Sequence, residues 1–290
     1  MWRDKVVALR TGLLDLLPLT WSRSIRYFFH ARRFPNLTEP KGLNEKVNWR
    51  VLNDHREFWV WTCDKIAMKQ HASELAPTVL IPRVLWAGMD LTELDDLQVE
   101  GRWILKPNNG SGQVIAGSGQ PNVEQLERDV ARWDRAFQWR TLGETAYLGA
   151  SPVIVLEEWI GTDENPPDDY KFFVYDGVVR FVHAHDGRLG THRASMYSPD
   201  WERLDANQRG ILPHEHDLAR PAHLEQMIEI AGDLGRDFDF IRIDLFDTPE
   251  GVWFGEFTPY PWSGSRPFNP DSFERLAGDY WVLPKASDLR

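Results

Sequence analysis

Two groups of residues in this chain have the types and spacing for phosphate chemistry. Lys106-Pro107-Asn108-Asn109-Gly110-Ser111-Gly112 follows the apolar run Trp103-Ile104-Leu105, so a lysine ends an expected strand where a glycine-rich turn begins. Glycines let backbone N–H groups approach phosphate oxygens without a Cβ in the way, and the lysine adds positive charge. The second group is an acidic hairpin. In Ile241-Arg242-Ile243-Asp244-Leu245-Phe246, Arg242 and Asp244 share one strand face while the apolar residues Ile241, Ile243 and Leu245 share the other. The return strand, Val252 to Thr258, puts Phe254, Glu256 and Thr258 together. If the five-residue loop Asp247–Gly251 pairs Phe246 with Val252, Asp244 lies opposite Phe254 and Glu256 is its diagonal neighbour, with Cβ atoms roughly 7 Å apart. A slip of one residue would send the two acids to opposite faces. Asp244, Glu256 and Thr258 form an oxygen-only ligand set that suits Mg²⁺ bridging to substrate phosphates. The two groups together predict a nucleoside triphosphate site.

The elements around them read as α+β. Helical signals dominate residues 5 to 74, with helices at Asn44 to Leu52 and Asp64 to Leu75. Trp103 to Lys106 and Gln113 to Ala116 read as strands flanking the glycine turn. A helix is expected over Val123 to Trp139, and an apolar strand, Pro152 to Glu157, runs into Glu157-Glu158-Trp159-Ile160. Tyr170 to Tyr175 and Val178 to His183 form a hairpin around Asp176-Gly177, the strongest two-residue turn signal in the chain. A further helix is expected at Pro221 to Leu234, ahead of the acidic hairpin. The sequence shows no internal repeat and no low-complexity stretch.

Composition narrows the class. A 290-residue chain that is 42% hydrophobic can bury a substantial core. The single cysteine, Cys63, excludes an intramolecular disulfide framework, and its surroundings read as the buried face of a helix. The amino terminus has no secretory pattern, and no apolar run approaches the roughly 18 to 20 residues of a membrane span, so a cytoplasmic setting is expected. A net charge of −11 argues against a nucleic-acid binder. Residues 1–33 depart from that balance. They carry Arg3, Lys5, Arg10, Arg23, Arg26, Arg32 and Arg33 against Asp4 and Asp15, with Leu13, Leu14, Leu16, Leu17, Trp21, Tyr27, Phe28 and Phe29 interleaved. Such a segment either packs on the body or lies on an anionic membrane or a lipid-linked glycan.

The common nucleotide motifs are missing. There is no Gly-x-x-x-x-Gly-Lys-Ser/Thr stretch, Ile115 stands where a third dinucleotide-binding glycine would be needed, and neither an His-Arg-Asp nor an Asp-Phe-Gly signature occurs. The order present resembles the ATP-grasp fold, and within it the TupA-like branch, named for a teichuronopeptide biosynthesis protein. The resemblance is carried by Pro40-Lys41-Gly42-Leu43-Asn44-Glu45-Lys46-Val47-Asn48-Trp49, Asp64-Lys65, Lys106 to Gly112, Asp169-Tyr170-Lys171-Phe172-Phe173-Val174-Tyr175-Asp176-Gly177, and Arg242-Ile243-Asp244 with Gly255-Glu256-Phe257-Thr258. It covers about residues 24 to 270.

That resemblance implies a helical lead (1–36), an N-terminal lobe (37–101), a small lid lobe with the glycine loop (102–160) and a larger antiparallel-sheet lobe with the metal site (161–290). It implies ATP and Mg²⁺ as cofactors. Lys106 would bind phosphate beside Asn109, Gly110, Ser111 and Gly112, and Glu157, Glu158, Trp159 and Ile160 would be the hinge holding adenine. Asp169 would take the ribose hydroxyls and Lys171 the phosphates, with Asp244 and Glu256 as metal ligands. Thr258 stands where many ATP-grasp enzymes carry asparagine. Arg193, Arg242 and Arg266 are candidates for stabilising the transferred phosphoryl group or gripping a carboxylate. The implied activity is ATP-dependent carboxylate–amine ligation through an acylphosphate, joining an amino acid to a sugar or glycan of the cell surface. A phosphotransferase acting on a sugar hydroxyl, or a non-catalytic glycan-binding protein, are the alternatives.

Overall fold

Two antiparallel sheets, each with its own apolar core, divide the chain into a small and a large lobe. The computed structural model describes residues 14, 16–134, 137–161, 167–186, 192–285 and 289; residues 1–13, the first part of the basic segment, lie outside the described residues. Three helices precede the sheets: α1 (Leu19–Ala31), α2 (Leu43–Asn53) and α3 (Lys65–Leu75). Asp64 starts α3 by accepting the backbone N–H groups of Ile66 and Ala67.

The small sheet contains β1 (Val84–Gly88), β2 (Arg102–Pro107), β3 (Ile115–Ser118) and β4 (Ile154–Glu158) in the order β1-β4-β2-β3. Its core is built on Trp86, Trp103, Leu105, Leu126 and Leu156. Between β3 and β4 lie α4 (Val123–Val130), α5 (Phe137–Arg140) and α6 (Ala146–Gly149). The single helix expected over residues 123–139 is therefore two, interrupted where Trp133 turns back to pack with Val130 on the small-lobe core.

The large sheet takes β5 (Asp169–Tyr175), β6 (Val178–Asp186) and β7 (Arg193–Tyr197). After β8 (Asn207–Gln208) and α7 (Leu224–Gly235) come β9 (Ile241–Thr248), β10 (Gly251–Thr258), β11 (Phe268–Asn269) and α8 (Asp271–Asp279). Sheet order is β10-β9-β5-β6-β7, and β8 pairs with β11 as a separate ribbon. Leu224, Met227, Ile230, Ala231 and Leu234 recur at helical spacing on α7 and are buried in the large-lobe core. Asp176 and Gly177, both at positive φ (47° and 76°), make the tight β5–β6 turn as their sequence demands.

The acidic hairpin differs from its expected register, and the difference creates the site. Thr248 pairs with Gly251 across a two-residue turn, tied by the Thr248 hydroxyl to Glu250 and Gly251, so Phe246 faces Trp253 rather than Val252. Carried along unbroken, that register would put Glu256 opposite Ile243, on the core face. Between Phe254 and Glu256 it shifts by one residue, and Glu256 lies directly opposite Asp244. Gly255 is the extra residue. A Cβ there would stand 2.8 Å from the Asp244 carbonyl oxygen and 3.1 Å from the Phe246 ring, so glycine permits the bulge by leaving that space empty.

Arg50 of α2 ties both ends of this hairpin to the helical lead. Its guanidinium lies between the rings of Trp59 and Trp281, 4.2 and 4.1 Å from their centroids, and donates to the carbonyls of Phe240 and Pro259 and to Asp239. Gly255→Ala is expected to lower stability by about 1–3 kcal/mol and to weaken Mg-ATP binding disproportionately; thermal unfolding and calorimetry on the same variant measure both.

Candidate active site

Alternation along β5, β6, β9 and β10 brings one row of polar side chains to a common face. Directly opposed residues share a face, so Glu256, Asp244, Lys171 and His183 follow one another across four neighbouring strands. Lys171 Nζ lies 2.5 Å from Asp244 Oδ2 and 2.6 Å from Asp169 Oδ2. Arg242 donates through Nε to Asp244 Oδ1 at 2.6 Å and through Nη2 to Asp244 Oδ2 at 2.7 Å. The same Nη2 reaches Glu256 Oε1 at 3.2 Å and Thr258 Oγ1 at 3.1 Å, and the Thr258 hydroxyl donates to Glu256 at 3.0 Å. Burial alone would raise the Asp244 pKa, but Arg242 and Lys171 overcome it and hold the carboxyl at about 2. The acid is ionised at any physiological pH.

A second cationic group forms where the small sheet meets α3, a helix whose Met68 and Ala72 belong to the large-lobe core. Lys106, at the end of β2, pairs with Glu157 Oε2 at 2.7 Å, and Lys69 of α3 pairs with the other oxygen of the same carboxylate. Lys65, one turn before Lys69, donates to the Gly110 carbonyl in the glycine turn. The turn is docked onto α3 by Asn108, whose side chain accepts from Ile66 N–H and donates to the Ser151 carbonyl. Two lysines therefore share the Glu157 carboxylate, with Lys65 one helical turn from Lys69. Burial and the Lys106 charge push both Lys65 and Lys69 down to about 8, while the carboxylates of Glu157 and, for Lys65, Glu256 act against the shift. Glu256 is thus near enough to Lys65, at the start of α3, for their charges to interact. Glu157, despite its burial, is held below the usual carboxylate range by Lys106 and Lys69.

Several expected roles meet committed groups. Glu157 is a buried ion-pair partner that positions Lys106. The Glu158 N–H, expected to read adenine, already donates to the Arg83 carbonyl at 3.0 Å because β1 pairs with β4 on that side. Trp159 donates its N–H to the Arg102 carbonyl, and its ring lies 4.0 Å from the Arg102 guanidinium. Ile160 follows the end of β4, half-buried. In the glycine turn, Asn109 is buried, Ser111 accepts from Gln138, and Gly112 adopts a φ of 75°. Asp169 is buried against Lys171.

Arg193 is not brought to the site. It lies opposite Asp186, one position out of phase with His185, which puts it on the other face of the sheet, where it pairs with Glu215 and the Pro213 carbonyl. Arg266 stacks on Trp262, 4.6 Å from the ring centroid, in the loop beyond β10.

The residues missed by sequence reasoning are Lys65 and Lys69, although Asp64-Lys65 with a second lysine four residues on is a readable signal: a capped helix start with two lysines on one face. His183 and His185 also lie on the site face, joined to each other at 3.0 Å, with His185 joined to His192 at 2.8 Å. Burial pushes His183 and His185 far below the usual imidazole range, so both are neutral.

The family model for TupA-like ATPgrasp matches residues 45–282. This chain belongs to the TupA-like ATP-grasp family. No curated protein sequence matches. Among solved structures, D-alanine–D-alanine ligase from Helicobacter pylori aligns with a TM-score of 0.45 at 18% identity, over 83% of this chain and 69% of that one. D-alanine–D-alanine ligase from Bacillus anthracis complexed with ATP gives 0.43 at 12%, over 76% and 64%. The D-cycloserine synthetase DcsG gives 0.43 at 17%, over 79% and 71%. The chain thus spans roughly two-thirds of the length of each.

The lysine pKa values set a pH dependence. Lys65 and Lys69 are cationic below about 8 and lose charge above it. ATP affinity is expected to hold level to about pH 7 and then fall through pH 8, by up to about tenfold per pH unit for each of the two lysines whose charge binding requires. Lys69→Met should lower affinity at pH 7 and flatten that decline; calorimetric titrations from pH 7 to 9.5 measure both effects.

Proposed function

We propose that this protein is an ATP-dependent carboxylate–amine ligase. The observation that supports this most strongly is the approach of Lys106 from the small lobe and of Lys65 and Lys69 from α3 to the large-lobe set Lys171, Arg242, Asp244 and Glu256. The donor set fits Mg²⁺: the carboxylates of Asp244 and Glu256 and the hydroxyl of Thr258 are hard oxygen ligands, and Asp244 stays ionised. No cluster of three or more acidic, histidine or cysteine ligands stands ready-made among the described residues, so phosphate and water oxygens would complete the coordination. Bound there, Mg²⁺ would neutralise charge on the β- and γ-phosphates.

The chain's own residues position and neutralise. Lys106, held in place by Glu157, and Lys65, held against the glycine turn, offset charge on the triphosphate as the γ-phosphoryl group moves to a substrate carboxylate. Lys171 and Arg242 would offset the charge that develops on the transferred group. An amine then attacks the acylphosphate carbonyl carbon, the C–N bond forms, and phosphate leaves with the C–O electron pair. No side-chain nucleophile is needed. The substrates we assign are an amino acid and a sugar acid or amino sugar of a cell-surface polysaccharide or its precursor, an assignment supported by the family resemblance and not by a pocket.

Hydroxylamine tests the chemistry. With Mg-ATP and a series of amino acids and uronic acids, the wild-type protein is expected to release ADP and form a hydroxamate with its true carboxylate substrate, at a rate reduced at least a hundredfold by Asp244→Asn. ATP consumption that yields a phosphate ester inert to hydroxylamine would make the protein a phosphotransferase. A folded protein that neither binds nor consumes ATP would be a binding protein.

A further inference from the structure

Helix α1 is turned inside out relative to a helix packed on a protein body. Its buried residues are Ser22, Arg23, Tyr27 and Ala31. Arg23 is the anchor, reaching Asn48 Oδ1 at 2.9 Å and the carbonyls of Ser263 at 2.6 Å and Leu142 at 2.5 Å. The large apolar residues face outward instead: Leu16 is 82% exposed, Leu17 41%, Trp21 63%, Phe29 40% and Phe34 59%. Trp21, Ile25, Phe28 and Phe29 recur at helical spacing on α1 and so form one stripe, with the exposed Leu16 and Leu17 just ahead of the helix. Phe28 stacks on Phe34 at 4.9 Å and carries the patch past the end of the helix. A contiguous apolar stripe of this kind on a surface marks something that covers it.

Charge identifies the cover. Residues 1–33 carry seven cations against two acids, while the whole chain is at −11. The remainder is therefore at −16, and this is the one strongly basic segment. Arg33 is committed to Glu45, but Arg32, the residue that ends the helix, is exposed next to the Phe28–Phe34 end of the patch. A surface of phosphate headgroups over acyl chains satisfies both the cationic segment and the aromatic rings.

We propose that α1 lies on the surface of an anionic lipid bilayer, with Trp21, Phe29 and Phe34 at the boundary between headgroups and acyl chains and Arg32 on lipid phosphate. The helix lies in the surface and does not cross it: α1 has 13 residues, and no helix among the described residues is long and apolar enough to span. This inference is independent of the ligase reading, because none of these residues belongs to the nucleotide site.

The test is co-sedimentation of the full chain with vesicles of phosphatidylglycerol and phosphatidylcholine, against vesicles of phosphatidylcholine alone. The wild type is expected to bind the anionic vesicles at least tenfold more tightly, less so at high salt. Trp21→Glu with Phe29→Glu should lose that binding while keeping the wild-type melting temperature and Mg-ATP affinity, and Arg32→Glu should reduce the preference for anionic lipid. A wild type that stays in the supernatant, or a double variant that sediments equally well, overturns the proposal. So does a wild-type dimer that ignores vesicles and becomes a monomer in the double variant, which would assign the stripe to a second copy.

Discussion

Glu256 faces Asp244 because β10 carries one more residue than β9 along their shared length, and everything proposed for the site depends on that extra residue. The tight Thr248–Gly251 turn fixes a register that would bury Glu256 in the core, and the bulge at Gly255 turns it back out. The arrangement rests on an empty volume beside the Asp244 carbonyl, which a single methyl group would fill. Arg50, buried between two indole rings and bonded to carbonyls at both ends of the hairpin, keeps the two strands from relaxing toward the unbulged register.

The site's electrostatics follow from placing many charges out of water at once. Isolated, a buried lysine or carboxylate would change protonation state. Here the carboxylates are held ionised by neighbours on adjacent strands, as with Asp244 between Arg242 and Lys171. Burial, and then the nearby Lys106 charge, lowers Lys65 and Lys69 to about 8, although Glu157 acts against the shift. The cations around Glu157 outnumber the acids there, and this balance is what supports the proposed polyanionic ligand.

Much of this was legible in the sequence. Alternation in Ile241–Phe246 separated chemistry from core correctly, Asp176-Gly177 announced its turn, and Asp64 announced the start of α3. What failed had physical causes. The bulge at Gly255 depends on cross-strand geometry that a single strand does not display, so Asp244 and Glu256 were brought together by an incorrect register. Lys65 and Lys69 sat on a helix whose partner, the glycine turn, is some forty residues away in sequence. Arg193 was separated from the site by strand parity, which becomes readable only once β7 is known to pair with β6. Strands β1 and β7 and helix α8 were not anticipated.

The most direct measurement is a calorimetric titration of ATP, with and without Mg²⁺, into the wild type and into Asp244→Asn combined with Glu256→Gln. The account predicts wild-type binding that is strengthened by Mg²⁺, and a folded double variant whose residual ATP binding, carried by the lysines, no longer responds to the metal. Equal Mg²⁺ dependence in the two proteins would contradict it, because the bulged hairpin would then have no part in holding the cation.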